Sequence, residues 1–337
     1  MNDPICGCTE FNHEQLKEQI QTKKLTMVRE VMNVLEWEGE GCQVCRPAIN
    51  YYIGMLWPED SEDDRSSRIA NEKMHANIQK DGTFSVIPRI YGGETTPDDL
   101  IRIATVAKKY NVPTVKITGG QRIDLLGVKK EDLTSMWKDL DMPSGYAYGK
   151  ALRTVKTCVG SEWCRFGTQD STALGIHLEK QLERIWFPAK VKLGVSGCPR
   201  NCAEATIKDI GIVGVEGGWE ISTGGNGGVH VIATELLCLV ETAQEVEDIC
   251  KAYLQHYRET GRHNERCAPW QKRVGLEGIK ALVVDDLESR HALIERLRIY
   301  VETQDRDPWA ERVEDAEKTN TFKEYTPINI PVRVEAV

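Results

Sequence analysis

The chain has 337 residues and a mass of 38.0 kDa, a length that predicts two or three domains. Hydrophobic residues make up 40% of it and charged residues 28%, as in a globular protein with a sizeable core. The net charge of −9 argues against a protein that binds nucleic acid. No apolar run reaches the roughly 18 residues of a membrane span, and the first residues begin no signal peptide. We therefore expect a cytoplasmic protein without a membrane partner.

Residues 1–58 predict a small helical module. Apolar residues at helical spacing indicate one helix around residues 16–20 and a second over residues 28–35. A third helix is expected from residue 46, beside a proline suited to a first turn, to residue 55. The charged stretch of residues 58–68 is too polar to pack and predicts a linker.

The next two regions alternate strand and helix patterns. Residues 70–142 read as strand, helix, strand, strand and helix, at residues 83–91, 96–107, 112–118, 123–128 and 130–140. Residues 145–310, which are glycine-rich up to residue 232, predict three strands and two long helices, at residues 190–195, 210–215, 228–233, 243–260 and 287–303. No periodicity is evident after residue 307, and residues 311–337 are taken as a tail. The fold class predicted from these elements is α+β.

Eleven cysteines are unusual for such a chain, and in a reducing compartment they indicate metal binding or redox chemistry. One set of four comprises a CxC pair and a CxxC pair: Cys6, Cys8, Cys42 and Cys45. Four thiolates at short spacings can converge on tetrahedral zinc or on an iron–sulfur cluster. Spacing alone leaves both alternatives open.

A second set of four lies in the segments TCVGSEWC and SGCPRNC: Cys158, Cys164, Cys198 and Cys202. Its five-residue gap is longer than zinc sites prefer, and the neighbouring glycines would let the backbone approach a bulky centre. An iron–sulfur centre is therefore favoured over zinc here. Cys238 and Cys250 are expected to be buried core thiols, and no role is assigned to them or to Cys267.

The segments TCVGSEWC and GVSGCPRNC resemble the sirohaem and [4Fe–4S] signature of nitrite and sulfite reductases. The leading CGC and CQVC pairs resemble the [2Fe–2S] domain of bacterioferritin-associated ferredoxin type. In this order they are similar to the C-terminal portion of assimilatory NAD(P)H nitrite reductase large subunits. The resemblance implies a [2Fe–2S] module at 1–58, a ferredoxin-like half-domain at 70–142 and an α/β sirohaem and [4Fe–4S] domain at 145–310.

The resemblance also implies roles for the cysteines. The second set would hold a [4Fe–4S] cluster, with Cys202 also bridging to the sirohaem iron, and the first set would hold a [2Fe–2S] centre that passes electrons on. Nitrite would take six electrons at the sirohaem and become ammonium. The hard chemistry would belong to the cofactors, while the protein supplies ligands, orientation and charge.

An anionic substrate and the eight carboxylates of sirohaem call for a basic site. Arg89, in VIPRIYGG, and the pair Lys190 and Lys192 resemble the family's substrate-binding cations, and Arg122 resembles another, displaced by two residues. Lysines two apart on a strand share one face, and crowding depresses a lysine pKa, so one of them could donate a proton. The alternative is an exposed pair at a strand edge. Candidate contacts to sirohaem carboxylates are Arg153, Lys156, Arg165, Arg200 and Asn201.

No GxGxxG motif occurs, so we expect no FAD or NAD(P)H site within this chain. Either the chain is part of a longer subunit, or electrons come from a separate flavoprotein or a small Rieske-like subunit. Many sirohaem reductases contain two copies of this unit and this chain has one. We therefore expect a homodimer whose copies complete each other's sites, with Arg89 and Arg122 serving a sirohaem bound by the partner's Cys202.

Two other functions compete with nitrite reduction. Sulfite reductase uses the same cofactors and a similar cationic pocket, so residues alone do not separate the two activities. An iron–sulfur electron carrier without a substrate would explain both cysteine sets but not the lysine pair. A zinc-stabilised interaction protein is the remaining alternative.

Overall fold

The computed structural model describes residues 3–37, 39–303 and 307–315. The chain divides into two compact units. The larger unit comprises Met1–Ile69, Tyr91–Glu94 and Gly149–Asp305. The smaller unit comprises Ala70–Ile90, Thr95–Tyr148 and Arg306–Val337. Among the described residues, no helix is both long enough and apolar enough to cross a lipid bilayer.

The N-terminal module is helical, as predicted, with α1 at His13–Thr22, α2 at Val28–Val34 and α3 at Cys45–Leu56. A capping box fixes the start of α1, because Asn12 accepts from the Gln15 N–H and Gln15 accepts from the Asn12 N–H. The three helices enclose an apolar core that includes Leu16, Ile20, Val31, Ile49 and Ile53. Burial of these side chains holds together a module too small to rely on local helix propensity.

The linker expected at residues 58–68 is wrong in one respect, because its second half contacts the helical module. Its carboxylates bind α3: Asn50 donates to Asp63 at 2.9 Å, and Arg46 pairs with Asp64 at 3.0 Å. Ser67 is buried. Two of the charges in this stretch are therefore paired with polar side chains of the helix, which no local pattern reveals.

The N-terminal module contacts the rest of the larger unit through hydrogen bonds to one short region. Tyr51 Oη donates to the Arg258 carbonyl at 2.9 Å, and the His263 N–H donates to Tyr52 Oη at 2.9 Å. Lys17 Nζ donates to the Glu259 carbonyl at 3.2 Å. The contacts come from both α1 and α3, so they fix the module at two places.

The smaller unit contains one antiparallel sheet, in the order β1-β2-β4-β3, and helices packed together with it. The predicted order of strand, helix, strand, strand and helix is confirmed. Its elements are α4 (Ala70–Met74), β1 (Asn77–Ile78), β2 (Phe84–Val86), α5 (Pro97–Lys109), β3 (Thr114–Thr118), β4 (Arg122–Val128), α6 (Leu133–Leu140) and, after the larger unit, α13 (Pro308–Glu314).

Two predictions for this unit are corrected. The strand expected over 83–91 is only three residues long, and after it Pro88, which lacks an N–H, keeps just an isolated bridge to Ser144. The region after residue 307 begins with helix α13, whose Trp309 is buried against Trp137. Residues 316–337 of the predicted tail lie outside the described residues.

The larger unit contains a five-stranded sheet in the order β11-β8-β7-β6-β5. Its strands are β5 (Leu152–Thr157), β6 (Val191–Ser196), β7 (Ile210–Val215), β8 (Gly218–Thr223) and β11 (Glu235–Val240). The helices of this unit, after α3, are α7 (Gly160–Trp163), α8 (Ser171–Leu182), α9 (Ala243–Thr260), α10 (Cys267–Val274), α11 (Leu276–Lys280) and α12 (Leu287–Thr303), with a π-helical turn at Ala281–Asp285.

The strand predicted at residues 228–233 is instead a short hairpin of β9 (Asn226–Gly227) and β10 (Val231–Ile232). Val229 at its tip is 97% exposed, so its β-branched side chain has nothing to pack against. The strands at 190–195 and 210–215 and both long helices are confirmed within a residue or two.

Strand direction gives this sheet two chemically different ends. Strands β5, β6 and β7 run parallel, with Thr157 opposite Val195 in the register of β5 and β6. Residues that follow these strands therefore lie together at the carboxyl end of the sheet, and residues that precede them lie together at its amino end. Cys158 and Cys198 lie at the carboxyl end, whereas Lys190 lies at the amino end.

Candidate functional site

The cysteines of the N-terminal module form a compact group. The sulfurs of Cys6, Cys8, Cys42 and Cys45 all lie within 4.8 Å of one another. Cys45 is fully buried at the start of α3, and the other three are partly exposed. The sequence prediction that these two pairs converge is confirmed.

Backbone N–H groups point at these sulfurs. The Cys42 N–H donates to Cys45 Sγ at 3.1 Å, and the Val44 N–H donates to Cys42 Sγ at 3.4 Å. Burial raises the pKa of Cys42, but N–H donors from Cys45 and Val44 outweigh it and lower that pKa to about 7. Burial raises the pKa of Cys6 to about 12. Four sulfurs so close together repel as thiolates, so the arrangement fits a metal centre.

Two residues beside the group shape its loop. Gly41 has a φ of +73°, and a side chain there would meet Cys45 Sγ at 3.1 Å. Arg46 donates to the Glu40 carbonyl and to Ser67, and pairs with Asp64. Arg46 is not among the residues predicted from the sequence, and its one local signal is its place directly after the CxxC pair.

The second set of cysteines is carried by loops at the carboxyl ends of β5 and β6. Cys158 follows β5, Cys198 follows β6, Cys164 ends α7, and Cys202 lies exposed in the loop beyond. Among the described residues, these four sulfurs do not draw together within 4.8 Å as the first set does.

The two loops that carry these cysteines bind each other closely. The Thr168 N–H donates to the Gly197 carbonyl at 2.8 Å, and the Gly197 N–H donates to Cys158 Sγ at 3.2 Å. A Cβ on Gly197 would lie 2.6 Å from the Gln169 carbonyl oxygen. Burial raises the pKa of Cys158, yet the Gly197 N–H and the Ser171 hydroxyl lower it overall. These loops are thus prepared to hold thiolates.

The residues predicted to contact sirohaem do not all lie at the cysteine end of the larger unit. Lys156 pairs with Glu204 at 3.0 Å. Arg165 and Arg200 lie over the ring of Phe166, at 4.7 and 3.9 Å from its centroid.

The other two predicted contacts have different surroundings. Asn201 accepts from the Ala205 N–H at 2.7 Å and donates to Thr206 at 2.8 Å, which supports its left-handed backbone. Arg153 lies near the start of β5, and its charge acts on Lys190 rather than near the cysteines.

Lys190 and Lys192 lie at the opposite, amino end of β6. Six strand residues at about 3.3 Å each put roughly 20 Å between this end and the cysteine end. Lys190 is exposed and Lys192 is partly buried. Burial lowers the pKa of Lys192, with Lys190 and Arg266 adding to the effect, and burial with Arg266 lowers the pKa of Lys190. Proximity in sequence to Cys198 therefore does not bring the lysines close to it within one chain.

A buried carboxylate beside the lysines was not singled out from the sequence. Asp209 is 1% exposed and accepts from the Lys192 N–H at 2.8 Å. Arg266 Nη2 donates to both of its oxygens, at 3.0 and 3.1 Å. The available signal was an acidic residue directly before an apolar strand.

The two predicted arginines belong to the smaller unit. Arg89 is 2% exposed, with its guanidinium 5.6 Å from the Tyr146 ring centroid. The backbone N–H of Arg89 donates to the Pro143 carbonyl at 2.7 Å. Arg122 is the first residue of β4, directly after the hairpin from β3. Burial raises the pKa of Asp124, which shares a strand face with Arg122, and the arginine opposes that rise.

Cys238, Cys250 and Cys267 are buried, as expected for the first two. Burial raises the pKa of Cys238 to about 11 and raises those of Cys250 and Cys267 as well. Nothing about these three thiols suggests reactivity.

Three family models match the chain in succession. Residues 4–55 match the BFD-like [2Fe-2S] binding domain, residues 77–143 match the nitrite/sulfite reductase ferredoxin-like half domain, and residues 148–291 match the nitrite and sulphite reductase 4Fe-4S domain. The two cysteine sets fall in the first and third of these ranges.

Curated relatives carry the same combination. The chain is 56% identical over 323 residues to nitrite reductase [NAD(P)H] of Bacillus subtilis, covering 96% of this chain and 40% of that protein. It is 35% identical over 336 residues to the nitrite reductase (NADH) large subunit of Escherichia coli, covering 96% of this chain and 39% of that one. The chain thus spans about two fifths of the length of these relatives.

A shorter relative is covered in full. The assimilatory-type sulfite reductase of Nitratidesulfovibrio vulgaris is 36% identical over 217 residues, which are 64% of this chain and 100% of that protein. The solved structure of the Mycobacterium tuberculosis NirA protein has a similar fold, with a TM-score of 0.54 at 18% identity over 59% of this chain and 39% of that one. Dissimilatory sulfite reductase I aligns with a TM-score of 0.53 at 16% identity over 62% of this chain and 69% of that one. The chain belongs to the nitrite and sulfite reductase family, with a BFD-like [2Fe–2S] domain at its N-terminus.

Proposed function

We propose that the chain is the catalytic part of a nitrite reductase, which takes nitrite to ammonium with six electrons. The observation that carries the proposal is the joint presence of a compact four-thiolate group and a second set of four cysteines on prepared loops. The relatives named nitrite reductase, at 56% and 35% identity over 96% of the chain, support nitrite as the substrate.

The second set of cysteines would hold the [4Fe–4S] cluster, and Cys202 would be shared with a sirohaem iron. Bound there, the coupled cofactors supply single electrons and a metal site for the substrate. The exposure of Cys202 suits this role, because a ligand shared with a large macrocycle must face open space. Cys158 is supported by N–H and hydroxyl donors that favour its thiolate.

Cations of the chain would bind the substrate anion and provide protons. We assign this role to Lys190 and Lys192, with Arg89 and Arg122 as further cations. A lysine with a lowered pKa gives up its proton more easily than an ordinary lysine, which suits a general acid. Contacts to the carboxylates of the macrocycle are assigned to Arg153, Lys156, Arg165, Arg200 and Asn201.

Two copies of the chain would be needed for a complete site. Strand β6 carries Lys192 near one end and Cys198 beyond the other, roughly 20 Å apart, so one copy does not bring them together along this strand. In a homodimer, the lysines of one copy would serve the centre held by the cysteines of the other. A strictly monomeric preparation with full activity would contradict this arrangement.

Electrons would enter through the [2Fe–2S] centre of the N-terminal module. The donor would be a flavin module that oxidises NAD(P)H or a small Rieske-like subunit. All eleven cysteines are free thiols, which suits a reducing compartment, and we place the protein in the cytoplasm.

Sulfite reduction is the second candidate, because a relative named sulfite reductase matches over its whole length. Anaerobic turnover of nitrite and of sulfite should be compared with one reductant, reduced methyl viologen, on one preparation. The proposal expects a higher kcat/KM for nitrite, and a higher value for sulfite would reverse the assignment.

An absorbance spectrum with iron and sulfide analysis should accompany that assay. The proposal expects sirohaem bands and more iron than two clusters alone account for. Iron–sulfur absorbance without sirohaem would favour an electron carrier. A colourless preparation that contains zinc would exclude the reductase.

A further inference from the structure

The buried carboxylate of Asp209 links β6, the strand that carries Lys192, to a third cation, Arg266. Asp209 precedes β7 and accepts the Lys192 N–H at Oδ2, and its own N–H donates to the Lys192 carbonyl at 3.0 Å. Arg266 Nη2 donates to that same Oδ2 at 3.1 Å and to Oδ1 at 3.0 Å. Because one oxygen binds both groups, Arg266 is held directly beside the lysine strand.

Positive charge exceeds negative charge at this place. Asp209 offers one carboxylate to Arg266, while no ion pair to Lys190 or Lys192 is formed by any residue that the structure describes. Nearby Lys208 pairs instead with Glu204 at 3.2 Å. The charge of Arg266 depresses the pKa of both lysines, after burial, which reflects this crowding of cations. An anion bound here would relieve their mutual repulsion.

Arg266 has more N–H donors than its hydrogen bonds to Asp209 use. Across the described part of the chain, its side-chain hydrogen bonds all come from Nη2, and a guanidinium has five N–H donors. About a quarter of the side chain remains exposed. A purely structural ion pair does not require such an opening beside two lysines.

We propose that Arg266 is a further oxyanion-binding residue beside Lys190 and Lys192, and that Asp209 is the positioning residue that aims it. The inference rests on the proposed function. The ligand is an anion with paired oxygens, which a guanidinium fork binds better than an ammonium does. Its source is either the small oxyanion substrate or a carboxylate of the macrocycle.

The test compares Arg266→Gln and Arg266→Lys with the control Arg296→Gln. Arg296 also pairs with a glutamate, Glu259 at 2.6 Å, but on the surface, so the control removes one charge without touching the lysines. Loss of a hydrogen bond to a charged group predicts about a tenfold or larger rise in KM for nitrite with kcat changed little. Arg266→Lys should lie between wild type and Arg266→Gln, because it keeps the charge and loses the fork.

The same preparations distinguish the two sources of the anion. If Arg266 binds the macrocycle, Arg266→Gln will lower the sirohaem content per chain and leave the KM of the loaded fraction unchanged. Asp209→Asn should change the same parameter in the same direction. A merely structural role for Asp209 would lower stability without separating KM from kcat.

A readout independent of turnover uses sulfate as a probe. Sulfate should raise the unfolding temperature of wild type and Arg296→Gln, and clearly less that of Arg266→Gln and Asp209→Asn. If nitrite and sulfite are not reduced by the wild type, the proposed function fails, while this measurement still decides the inference. Equal behaviour of Arg266→Gln and Arg296→Gln in KM, sirohaem content and sulfate stabilisation would overturn it.

Discussion

The two cysteine sets of this chain are assembled in different ways. In the N-terminal module, two short loops bring four sulfurs within 4.8 Å, and backbone N–H groups of those same loops point at them. In the larger unit, Cys158 and Cys198 are 40 residues apart in the chain and meet because β5 and β6 run parallel. Within the first set each pair is therefore fixed by its own loop, and the core of the helical module brings the two pairs together across 34 residues of chain, whereas the sheet brings the loops of the second set together.

This difference also separates the chemistry of the sheet into two ends. The carboxyl end carries cysteines, and the amino end carries cations around Asp209. A strand of fixed length keeps the two ends apart in one copy of the chain. The comparison predicts that damage at the cysteine end abolishes chemistry, whereas damage at the cation end changes affinity and pH dependence.

The largest effect is expected at the cysteine end. Replacing Cys198 or Cys202 with serine should reduce viologen-driven nitrite turnover to background, because a thiolate ligand of the proposed cluster is lost. Sirohaem absorbance and iron per chain should fall with it. Cys238→Ala is the matched control, since it removes a buried thiol that no cluster uses. Normal turnover in both serine variants would contradict the proposed ligand set.

The N-terminal set should behave as a separable electron entry. Cys42→Ser should lose about two irons per chain and its [2Fe–2S] electron paramagnetic resonance signal. Turnover driven by the flavoprotein donor should then be lost, whereas turnover driven by reduced methyl viologen should persist, since that reductant bypasses the module. Equal loss with both donors would mean that the two cysteine sets are not independent.

The cation end should show itself in pH dependence. The pKa of Lys192 is lowered by burial and by neighbouring cations, and its protonated form is the one that donates. Turnover should therefore fall as pH rises through that lowered pKa, below the range of an ordinary lysine. In Lys192→Arg this alkaline fall should disappear, while Lys251→Arg, at an ion pair with Glu247 on α9, should keep it. An unchanged pH profile in Lys192→Arg would exclude this lysine as the proton donor.

The smallest effect is expected from Arg46, which stabilises the loop that carries Cys42. Arg46→Ala should lower the free energy of unfolding by about 1–2 kcal/mol, because it removes hydrogen bonds to the Glu40 carbonyl, Asp64 and Ser67 from a partly exposed site. Denaturant unfolding measures this, with Arg298→Ala as the exposed control. An equal loss in both variants would mean that the loop is held by other contacts.

Lowering the pH should also break the ion pair between Arg46 and Asp64. Burial raises the pKa of Asp64, but Ser66, Ser67 and Arg46 lower it overall. Its contribution to stability is therefore present above the ordinary aspartate pKa and is lost as pH falls through the lowered value. Asp64→Asn should flatten this acid limb of the unfolding curve, and an unchanged limb would assign it to other carboxylates.

The sequence by itself determined the order of elements in the smaller unit, the N-terminal helices and the convergence of the first four cysteines. The elements follow from hydrophobic period and the cysteine site from the close spacing within each pair, which are local properties of the chain, while the meeting of the two pairs depends on the packing of the helical module. The packing of residues 58–68 was misjudged because Asp63 and Asp64 find partners on α3. A charged stretch reads as solvated until its partners are known.

Only the tertiary structure decided which chemical groups share an end of the sheet. Parallel pairing put the two cysteine loops together and Lys190 and Lys192 at the opposite edge, although Lys192 and Cys198 are only six residues apart. The same pairing brought Asp209 to Lys192, and packing brought Arg266 to both, across 57 residues of chain. Strand direction and sequence-distant contacts leave no periodic trace in the residues that take part, and this is why they became visible only in the folded chain.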